Sequence, residues 1–558
     1  MSSFHERESE RRRRVPSTPR IEDSRQPVFV KRIREALQPS ETMYHQEGLQ
    51  LINTRLWLQD IFGDQDPNDP NRKTIADVPN EVWEKLYRQS DYIWFMGVYA
   101  PSPFSQQHCA QYAHEYRYAI PSLPAEEVQA SPFAIPDYSP NPLIARDWEE
   151  WDAVRDELHR NGKKVILDFV PNHTAVDHPW VTEHPEYYMH APEWRYRENP
   201  GLYVPVEGED GVVRYLAHGK DPHFPEWSDT LQLNYARPDL QREMKTVLKN
   251  LAQHADGVRC DMAMLVNPDT FQRTWGYLLS DAERAFLHQH PFWEEAIPEL
   301  KRDAKVRGQE FSFIAEAYWD KEYLGQQFDY IYAKDFYDHL QKIASGQASP
   351  LRADGGNNLR DHIRHMMMAY ENWGRHYKDV LFTENHDERR AIEVFGVGPS
   401  KAAAVLAGLI PNSLFLLNQG QARGNRIRPP MQIGRFPEEQ GIDQIREFYD
   451  RLITLKRSKL FQKGDWSLAE LQDDSPSIVS MKVRYRHQGR TIEGYVCVNF
   501  GQTTSSCKLP AIRPESNALV YDLTNNQTIF NPDQEREGGM YLELLPWQTE
   551  IIFVEQPQ

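Results

Sequence analysis

Cysteine is scarce in this sequence, with only four residues of this type among 558. They are Cys109, Cys260, Cys497 and Cys507, and their spacing matches neither a metal-binding motif nor a disulfide framework. Disulfide-rich folds belong to oxidising compartments. The sequence therefore predicts a protein from a reducing compartment, without disulfides.

Long apolar runs are also missing. No stretch of about 18 apolar residues occurs, which is the minimum for a membrane-spanning helix. The N-terminus has no apolar segment of the kind found in signal peptides. We therefore expect a soluble, cytoplasmic protein without a membrane partner.

Basic residues are outnumbered, and the formal net charge is −18. A nucleic-acid-binding protein normally carries a basic surface, so a nucleic-acid partner is not expected. The one basic run, Arg11–Arg14, lies in a polar, aperiodic stretch. Residues 1–27 are thus predicted to form a flexible tail.

The remaining chain has the composition of a globular protein, with 40% hydrophobic and 12% aromatic residues. Short apolar runs alternate with amphipathic helical stretches, which is typical of a parallel α/β fold. Eight such runs are the number needed for a (β/α)8 TIM barrel. They occupy residues 49–58, 91–100, 163–173, 256–265, 311–319, 328–337, 378–387 and 412–421.

Two regions depart from this alternation. Residues 174–240 are too long for an ordinary connection and rich in Pro, His, Trp and Tyr, so they predict an inserted subdomain after the third strand. From residue 464 the pattern alternates as in antiparallel strands, which predicts a C-terminal β-sandwich domain over 464–558. The barrel would then comprise residues 28–173 and 241–463.

Polar residues close several of the predicted barrel strands, and the pair Arg259 and Asp261 raises the question of why. Residues i and i+2 of a strand point to one face, so this arginine and aspartate can pair. A structural ion pair would explain one such strand end. It does not explain why Glu316, and His386 with Asp387, close further strands, and this recurrence favours a catalytic site.

Four of these strand ends resemble, in order, the four signature regions of the α-amylase superfamily, glycoside hydrolase family 13. The segments are DFVPNH (168–173), GVRCDMAM (257–264), FIAEAYW (313–319) and TENHDERR (383–390). The resemblance covers roughly residues 48–558. It implies a TIM barrel with the inserted and C-terminal domains described above.

The resemblance also implies roles for individual residues. Asp261 would be the nucleophile and Glu316 the acid/base of a retaining mechanism, in which two carboxyl groups flank the scissile bond. Asp387 would bind sugar hydroxyls and help to distort the ring. Arg259 would keep Asp261 ionised and oriented. His173 and His386 resemble histidines that bind the sugar in the first subsite.

Two further residues are assigned to substrate binding with an alternative left open. Phe133, in SPFAIPDYSP (131–140), would supply a stacking ring, or would simply pack its loop. Asp168 would bind substrate, although a bracing role through hydrogen bonds is favoured.

No cofactor is predicted. Asn172 corresponds to a position that helps to bind calcium in many α-amylases, so calcium remains an alternative. The residues after the nucleophile include Met264 and Leu265, where such enzymes often have Lys-His, and this argues against the usual calcium site.

The predicted function is a retaining α-glycoside hydrolase acting on α-glucosides or α-glucans through a covalent glycosyl-enzyme intermediate. A transglycosylase using the same site is the alternative. SPFAI and DHPWVTEHPEYY (177–188) resemble enzymes that transfer maltosyl units to α-glucan, whereas the intact NHD (385–387) argues against that assignment. A non-catalytic, amylase-like binding protein is a third reading. The sequence makes no prediction of oligomeric state.

Overall fold

The computed structural model describes ten ranges of the chain: residues 27–43, 45–66, 69–208, 210–347, 358–372, 375–472, 475–487, 489–513, 516–530 and 538–555. The predicted flexible tail, residues 1–27, lies outside these ranges except for its last residue. Among the described residues, none of the helices combines the length and apolar character needed to cross a membrane.

Within these ranges the chain forms 21 strands, numbered in chain order. They are β1 Gln46–Asn53, β2 Tyr92–Met96, β3 Lys164–Phe169, β4 His173–Ala175, β5 His190–Ala191, β6 Tyr203–Glu207, β7 Val213–Ala217, β8 Thr230–Gln232, β9 Gly257–Cys260, β10 Ser312–Ala315, β11 Tyr330–Tyr332, β12 Lys378–Leu381, β13 Ser413–Asn418, β14 Asp465–Leu468, β15 Ile478–His487, β16 Arg490–Asn499, β17 Ser505–Leu509, β18 Asn517–Asp522, β19 Gln527–Phe530, β20 Met540–Leu544 and β21 Thr549–Glu555.

The α-helices of the described ranges connect these strands and pack around them. They span Pro27–Ala36, Thr54–Phe62, Asn80–Gln89, Pro103–Ala110, Trp148–Arg160, Trp180–Glu183, Glu193–Glu198, Pro238–His254, Pro268–Trp275, Asp281–Gln289, Phe292–Val306, Lys321–Leu324, Lys334–Ala344, Leu359–Asn372, Ala391–Phe395, Val397–Leu409, Asp443–Lys456 and Lys459–Lys463. Short 3-10 helices occupy Ile75–Asp77, Ala113–Tyr118, Ala125–Glu127, Pro185–Tyr187, Ala263–Val266, Gly276–Leu278 and Gln421–Arg423.

Eight parallel strands close into a barrel in the order β1-β13-β12-β11-β10-β9-β3-β2. Each strand falls within or overlaps one of the eight apolar runs, because a strand covered on both faces needs a nearly continuous apolar sequence. The prediction of a TIM barrel with a C-terminal antiparallel domain is confirmed. The first run, 49–58, is only partly a strand. β1 ends at Asn53, whose side chain caps the following helix by accepting a hydrogen bond from Leu56 N.

The helix Trp148–Arg160 shows how local sequence sets the bounds of an element. The Asp147 side chain accepts a hydrogen bond from Glu150 N at the beginning of the helix. After the helix, Gly162 adopts a φ of +67°, a left-handed conformation that favours glycine. The chain then enters β3 directly, and β3 ends at the face of the barrel where the parallel strands have their carboxyl ends.

Between β3 and β9 the chain forms small antiparallel sheets. β4 pairs with β8, and β7 lies between β5 and β6. The ring of Trp227 contacts that of His173, with centroids 5.1 Å apart, so this segment reaches one of the predicted site residues. The boundaries 174–240 for an inserted subdomain remain a prediction.

The C-terminal region is built from two antiparallel sheets. One has the order β14-β15-β16-β21-β18-β19, and β17 pairs with β20 in the other. Apolar side chains from both sheets, among them Cys497, Ile552, Leu509 and Leu542, form a buried cluster between them. The opposite face of the larger sheet, which includes Phe553, joins the main core with the barrel helices. This packing is that of a β-sandwich.

Removal of residues 1–26 is expected to leave the melting temperature unchanged, because that polar stretch has no apolar periodicity. Removal of residues 1–36 should lower it by several degrees, because the helix Pro27–Ala36 buries Phe29, Val30 and Ile33, each worth about 1.5–3 kcal/mol. Calorimetry on both truncations and the full chain tests this. A large loss in the shorter truncation would show that the tail docks on the protein.

Candidate active site

Strand register brings the predicted catalytic residues to one edge of the barrel. Arg259 of β9 lies opposite Asp168 of β3 on one side and Ile314 of β10 on the other. Asp261 and Glu316 directly follow β9 and β10. Their backbone N–H groups continue the ladder, since Asp261 N donates to Phe169 O at 2.9 Å and Glu316 N donates to Cys260 O at 3.1 Å. Both carboxylates therefore stand at the carboxyl end of the barrel.

The guanidinium of Arg259 is the centre of this cluster and is fully buried. Its Nη1 donates a hydrogen bond to Asp261 Oδ1 at 2.7 Å. Its Nη2 forms an ion pair with Glu316 Oε2 at 2.5 Å, and Nη1 lies 3.6 Å from Asp168 Oδ1. One cation thus compensates three buried carboxyl groups, which would otherwise be costly to remove from water.

The same contacts fix the separation of Asp261 and Glu316. The two Nη atoms of one planar guanidinium are about 2.3 Å apart, so the oxygens that they hold are less than about 8 Å apart. Retaining chemistry needs a pair of carboxyl groups roughly 5–5.5 Å apart. The geometry of this pair is compatible with that requirement.

Glu316 has donors on both of its oxygens. Oε2 accepts from the backbone N–H of Met262 at 2.9 Å, in addition to its ion pair with Arg259. Oε1 accepts from the hydroxyl of Tyr318 at 2.7 Å. Met262 has a φ of +44°, a strained value for a residue with a Cβ, and this turn follows directly after Asp261. Backbone strain is often found at functional sites of this kind.

Asp387 and His386 reach the same cluster from the segment after β12. The side chain of Asn385 accepts hydrogen bonds from Asp387 N and Glu388 N, which forms a tight turn. His386 Nε2 lies 3.1 Å from Asp387 Oδ2. Arg428, from the loop after β13, donates to the backbone oxygen of Asp387. This loop therefore braces the third predicted carboxylate.

Phe133 and His173 complete the predicted set, and both contact it. The Phe133 ring centroid lies 5.1 Å from Arg259 Cζ and 5.5 Å from the ring of His386. Phe133 is 9% exposed, so its ring packs against the cation and the histidine rather than standing free in a loop. His173 is buried and shares a hydrogen bond with the Phe133 backbone.

Asp168 is held by the barrel interior. Its Oδ1 accepts from Trp94 Nε1 at 3.1 Å, and its backbone oxygen accepts from the Tyr99 hydroxyl at 2.6 Å. Burial raises the pKa of Asp168 to about 7, against the attraction of Arg259 and the hydrogen bond from Trp94. These contacts fit a bracing role better than direct substrate binding.

The carboxyl groups of the cluster have raised pKa values. Burial is the main cause for Asp261, Glu316 and Asp387, and Arg259 opposes it in each case. Asp261 and Asp387 further raise the pKa of Glu316 by like-charge repulsion. Burial lowers the pKa of His386 to about 3, so its ring stays neutral. A carboxyl group whose pKa is raised can donate a proton near neutral pH, and an adjacent arginine favours the ionised form of the carboxyl group that it binds.

Several buried polar atoms of this cluster have no hydrogen-bond partner in the part of the chain that the structure describes. They are Asp168 Oδ2, Arg259 Nε and His386 Nδ1. Buried polar atoms normally have hydrogen-bond partners. Several such atoms without partners, gathered at one edge of the barrel, therefore indicate a binding place for a polar ligand.

Sequence reasoning missed four residues that shape this site: Tyr318, Arg428, Trp94 and Tyr332. Tyr318 lies within the third signature segment, two positions after Glu316, so its place was visible but not its contact. Arg428 lies in the run GNRIRPP (424–430), and nothing in that run shows that it meets Asp387. Trp94 and Tyr332 lie in barrel strands and look like ordinary core residues in the sequence.

The surroundings of Asn172 do not fit calcium. Its side-chain oxygen, the atom that would bind a cation, accepts a hydrogen bond from Gln232 Nε2 at 3.0 Å. The same amide nitrogen donates to the Asn172 backbone oxygen at 3.0 Å. Calcium requires several oxygen ligands. Across the described ranges, no three His, Cys, Asp or Glu side chains come together as a metal site would require.

Comparison with known proteins identifies the family to which this chain belongs. Residues 146–422, which contain β3 and β9 to β13, match the family described as "Alpha amylase, catalytic domain". The chain belongs to the α-amylase family. Its α-amylase-type signature segments are the same strand ends that converge on Arg259.

The related sequences include an α-amylase and a transferase. The chain is 23% identical over 411 residues to the α-amylase MalA of Haloarcula japonica, a match that covers 70% of this chain and 52% of that protein. It is 29% identical over 199 residues to the 4-α-glucanotransferase of Thermotoga neapolitana, covering 32% of this chain and 42% of the relative. The chain thus spans about half the length of these relatives.

Solved α-amylase structures share the fold. The α-amylase from Lactobacillus plantarum superposes with a TM-score of 0.60 at 18% identity, covering 91% of this chain and 98% of that structure. A maltogenic α-amylase from Thermotoga neapolitana gives a TM-score of 0.58 at 17% identity, covering 92% and 99%. At this level of sequence identity, the similarity to these structures shows a shared fold alone.

Proposed function

We propose that this protein is a retaining glycosidase whose substrates are α-linked glucosides or glucans. One observation carries the proposal: a single buried guanidinium, Arg259, holds Asp261 on one nitrogen and Glu316 on the other. Two carboxyl groups so close together, with one cation between them, can supply both the nucleophile and the acid of double displacement.

The first half of the reaction breaks the glycosidic bond. Arg259 binds Oδ1 of Asp261, so Oδ2 is the oxygen that attacks the anomeric carbon. As the bond from this carbon to the leaving oxygen breaks, protonated Glu316 transfers its proton to that oxygen. The sugar is then attached to Asp261, and Glu316 is a carboxylate.

The second half releases the sugar. Glu316 takes a proton from water, and the water oxygen bonds to the anomeric carbon as the bond between that carbon and Asp261 breaks. Both catalytic groups return to their initial states. His386 and Asp387 would bind ring hydroxyls, because the unpaired Nδ1 of His386 and the carboxyl group of Asp387 can form hydrogen bonds with a polar ligand.

A sugar hydroxyl can replace water in the second half, and the product would then be a transferred glucan. The similarity to a 4-α-glucanotransferase supports this second candidate function. Both functions use the same site residues. They differ only in which acceptor reaches the glycosyl-enzyme intermediate.

Product analysis distinguishes the two functions. We expect the protein to convert members of a panel of maltose, maltotriose, sucrose, trehalose, starch and maltose 1-phosphate. Proton NMR should show products that keep the α configuration when first released, because two inversions give net retention. Free glucose or maltose would indicate hydrolysis, and longer oligosaccharides would indicate transfer. First products in the β configuration would contradict the retaining mechanism, and no turnover of any α-glucoside would favour a binding protein.

A further inference from the structure

Tyr318 is placed to act on the proposed acid/base. It lies in the loop after β10, two residues beyond Glu316, and its side chain is half-buried. The hydroxyl donates a hydrogen bond of 2.7 Å to Glu316 Oε1. Tyr318 therefore contacts the oxygen of Glu316 that Arg259 and the Met262 N–H do not hold.

The contacts of the other oxygen determine where the acid proton must sit. Oε2 meets the N–H of Met262 at 2.9 Å and the Nη2 of Arg259 at 2.5 Å. A backbone N–H and a guanidinium can donate but cannot accept a hydrogen bond. A proton on Oε2 would point at these donors. The proton of the acid form must therefore be on Oε1, the oxygen that faces Tyr318.

We infer that Tyr318 is a positioning residue that holds Glu316 Oε1 in place. When substrate binds, the glycosidic oxygen replaces Tyr318 as the hydrogen-bond partner of Oε1. The inference rests on the proposed function. A phenol hydroxyl can donate to a carboxylate and accept from a carboxylic acid, so it satisfies Oε1 in both protonation states. Neither Met262 N nor Arg259 can do this for Oε2.

The hydrogen-bond partner of Oε1 changes as the acid proton moves through the reaction. In the free enzyme protonated Oε1 donates to the Tyr318 oxygen, and on substrate binding it turns to the glycosidic oxygen. After the proton has moved to the leaving group, the Tyr318 hydroxyl donates to the Glu316 carboxylate. Water then gives a proton back to Oε1 as its oxygen bonds to the anomeric carbon. The Tyr318 proton never leaves its own oxygen.

Other groups also face Glu316, and their effect on its pKa stays in place when Tyr318 is changed. They are the cation Arg259, the carboxyls Asp261, Asp387 and Asp168, the neutral ring of His386 and the hydroxyl of Tyr332. The Tyr318 hydrogen bond favours the ionised form of Glu316 over the acid form. Burial and the two nearby carboxylates keep the phenol itself neutral, because they raise its pKa far above the ordinary range.

Tyr318→Phe keeps the ring and removes the donor, so it should raise the pKa of Glu316. We expect the alkaline limb of kcat/KM on an aryl α-glucoside to move up by about one pH unit. The acidic limb of the same pH profile, which reports the ionisation of Asp261, should keep its position. Tyr323→Phe is the matched control, because Tyr323 lies five residues further on, in the helix Lys321–Leu324, and interacts with Glu294 instead; its profile should equal that of the wild type.

Tyr318→3-fluorotyrosine provides the opposite change. Its hydroxyl is a stronger donor in a ring of nearly the same size, so the alkaline limb should move to lower pH. A role limited to packing would leave both profiles unchanged, because neither change alters the shape of the ring appreciably. Unmoved alkaline limbs in both variants, with melting temperatures near that of the wild type, would overturn the inference.

The leaving group separates this inference from the proposed function. Hydrolysis of α-glucosyl fluoride needs little acid assistance, so Tyr318→Phe should lower its kcat less than twofold. On an aryl glucoside with a poor leaving group kcat should fall about tenfold. Equal losses on both substrates would overturn the inference while leaving the proposed function intact. Absence of turnover by the wild type itself would instead refute the proposed function.

Discussion

Asp261→Asn is expected to lower the turnover of an α-glucoside by at least about 10⁴-fold, because the amide cannot form the glycosyl-enzyme bond. The fold should persist, since Arg259 keeps its contacts with Glu316 and Asp168. Steady-state kinetics and calorimetry on one preparation measure both effects. Asp269→Asn is the control, because its side chain is 81% exposed and it should behave as the wild type.

The smaller variant Asp261→Ala allows the missing nucleophile to be replaced from solution. Azide should enter the vacated space, attack the anomeric carbon of α-glucosyl fluoride and displace fluoride. The product would be β-glucosyl azide, because one displacement inverts the configuration. Near-normal turnover by Asp261→Asn, or an azide product of α configuration, would show that Asp261 is not the nucleophile.

Arg259→Leu has the second large effect, and here stability and catalysis change together. The substitution should abolish turnover, because Asp261 would no longer be held as an anion beside Glu316. It also leaves three buried carboxyl groups without their cation, and breaking a buried ion pair by removing one partner costs about 3–5 kcal/mol. The variant should therefore melt at a clearly lower temperature than the wild type.

The stability defect of Arg259→Leu should grow with pH. Burial already raises the folded-state pKa of Asp168 to about 7, and those of Asp261 and Glu316 are raised too. A carboxyl whose pKa is higher in the folded state contributes stability that is present below its unfolded pKa, near 4, and lost as pH rises through the folded pKa. Without the guanidinium these values rise further.

Denaturant titrations at pH 5 and pH 8 test the sign of this effect. The free energy of unfolding of Arg259→Leu should fall from pH 5 to pH 8 by more than that of the wild type. Arg273→Leu is a suitable control, because that side chain is 65% exposed and its loss should cost less than about 1 kcal/mol at both pH values. A stable, active Arg259→Leu protein would contradict the role assigned to the cluster.

The sequence predicted the barrel well because its information is local. A strand buried on both faces must be apolar, so the eight runs were visible, and all eight contain or overlap barrel strands. Strand bounds were less accurate. The run 49–58 continues into a helix because Asn53 caps that helix, and capping depends on one side chain rather than on periodicity. The convergence of Asp261, Glu316 and Asp387 was predicted from their places at strand ends and from family resemblance.

Contacts between distant segments could not be predicted in this way. Arg428 meets Asp387 across 41 residues, Trp94 meets Asp168 across 74, and Met262 N meets Glu316 across 54. Each depends on how two separate loops or strands are brought together, and no periodic pattern encodes that. The Asn172 side chain shows the same limit, because only the fold reveals that Gln232 occupies its oxygen.

By itself the sequence determined the chemistry that is present: an arginine and an aspartate on one strand face, and carboxyl groups at successive strand ends. Only the tertiary structure decided how that chemistry is arranged, because strand register places Arg259 between β3 and β10 and gives one cation three carboxylates. It also decided which oxygen of Glu316 can carry a proton, since the N–H of Met262 and the guanidinium of Arg259 close one side and Tyr318 faces the other. Spacing along a chain fixes residue types at strand ends, whereas hydrogen-bond partners and burial, which set pKa values, exist only once the barrel has closed.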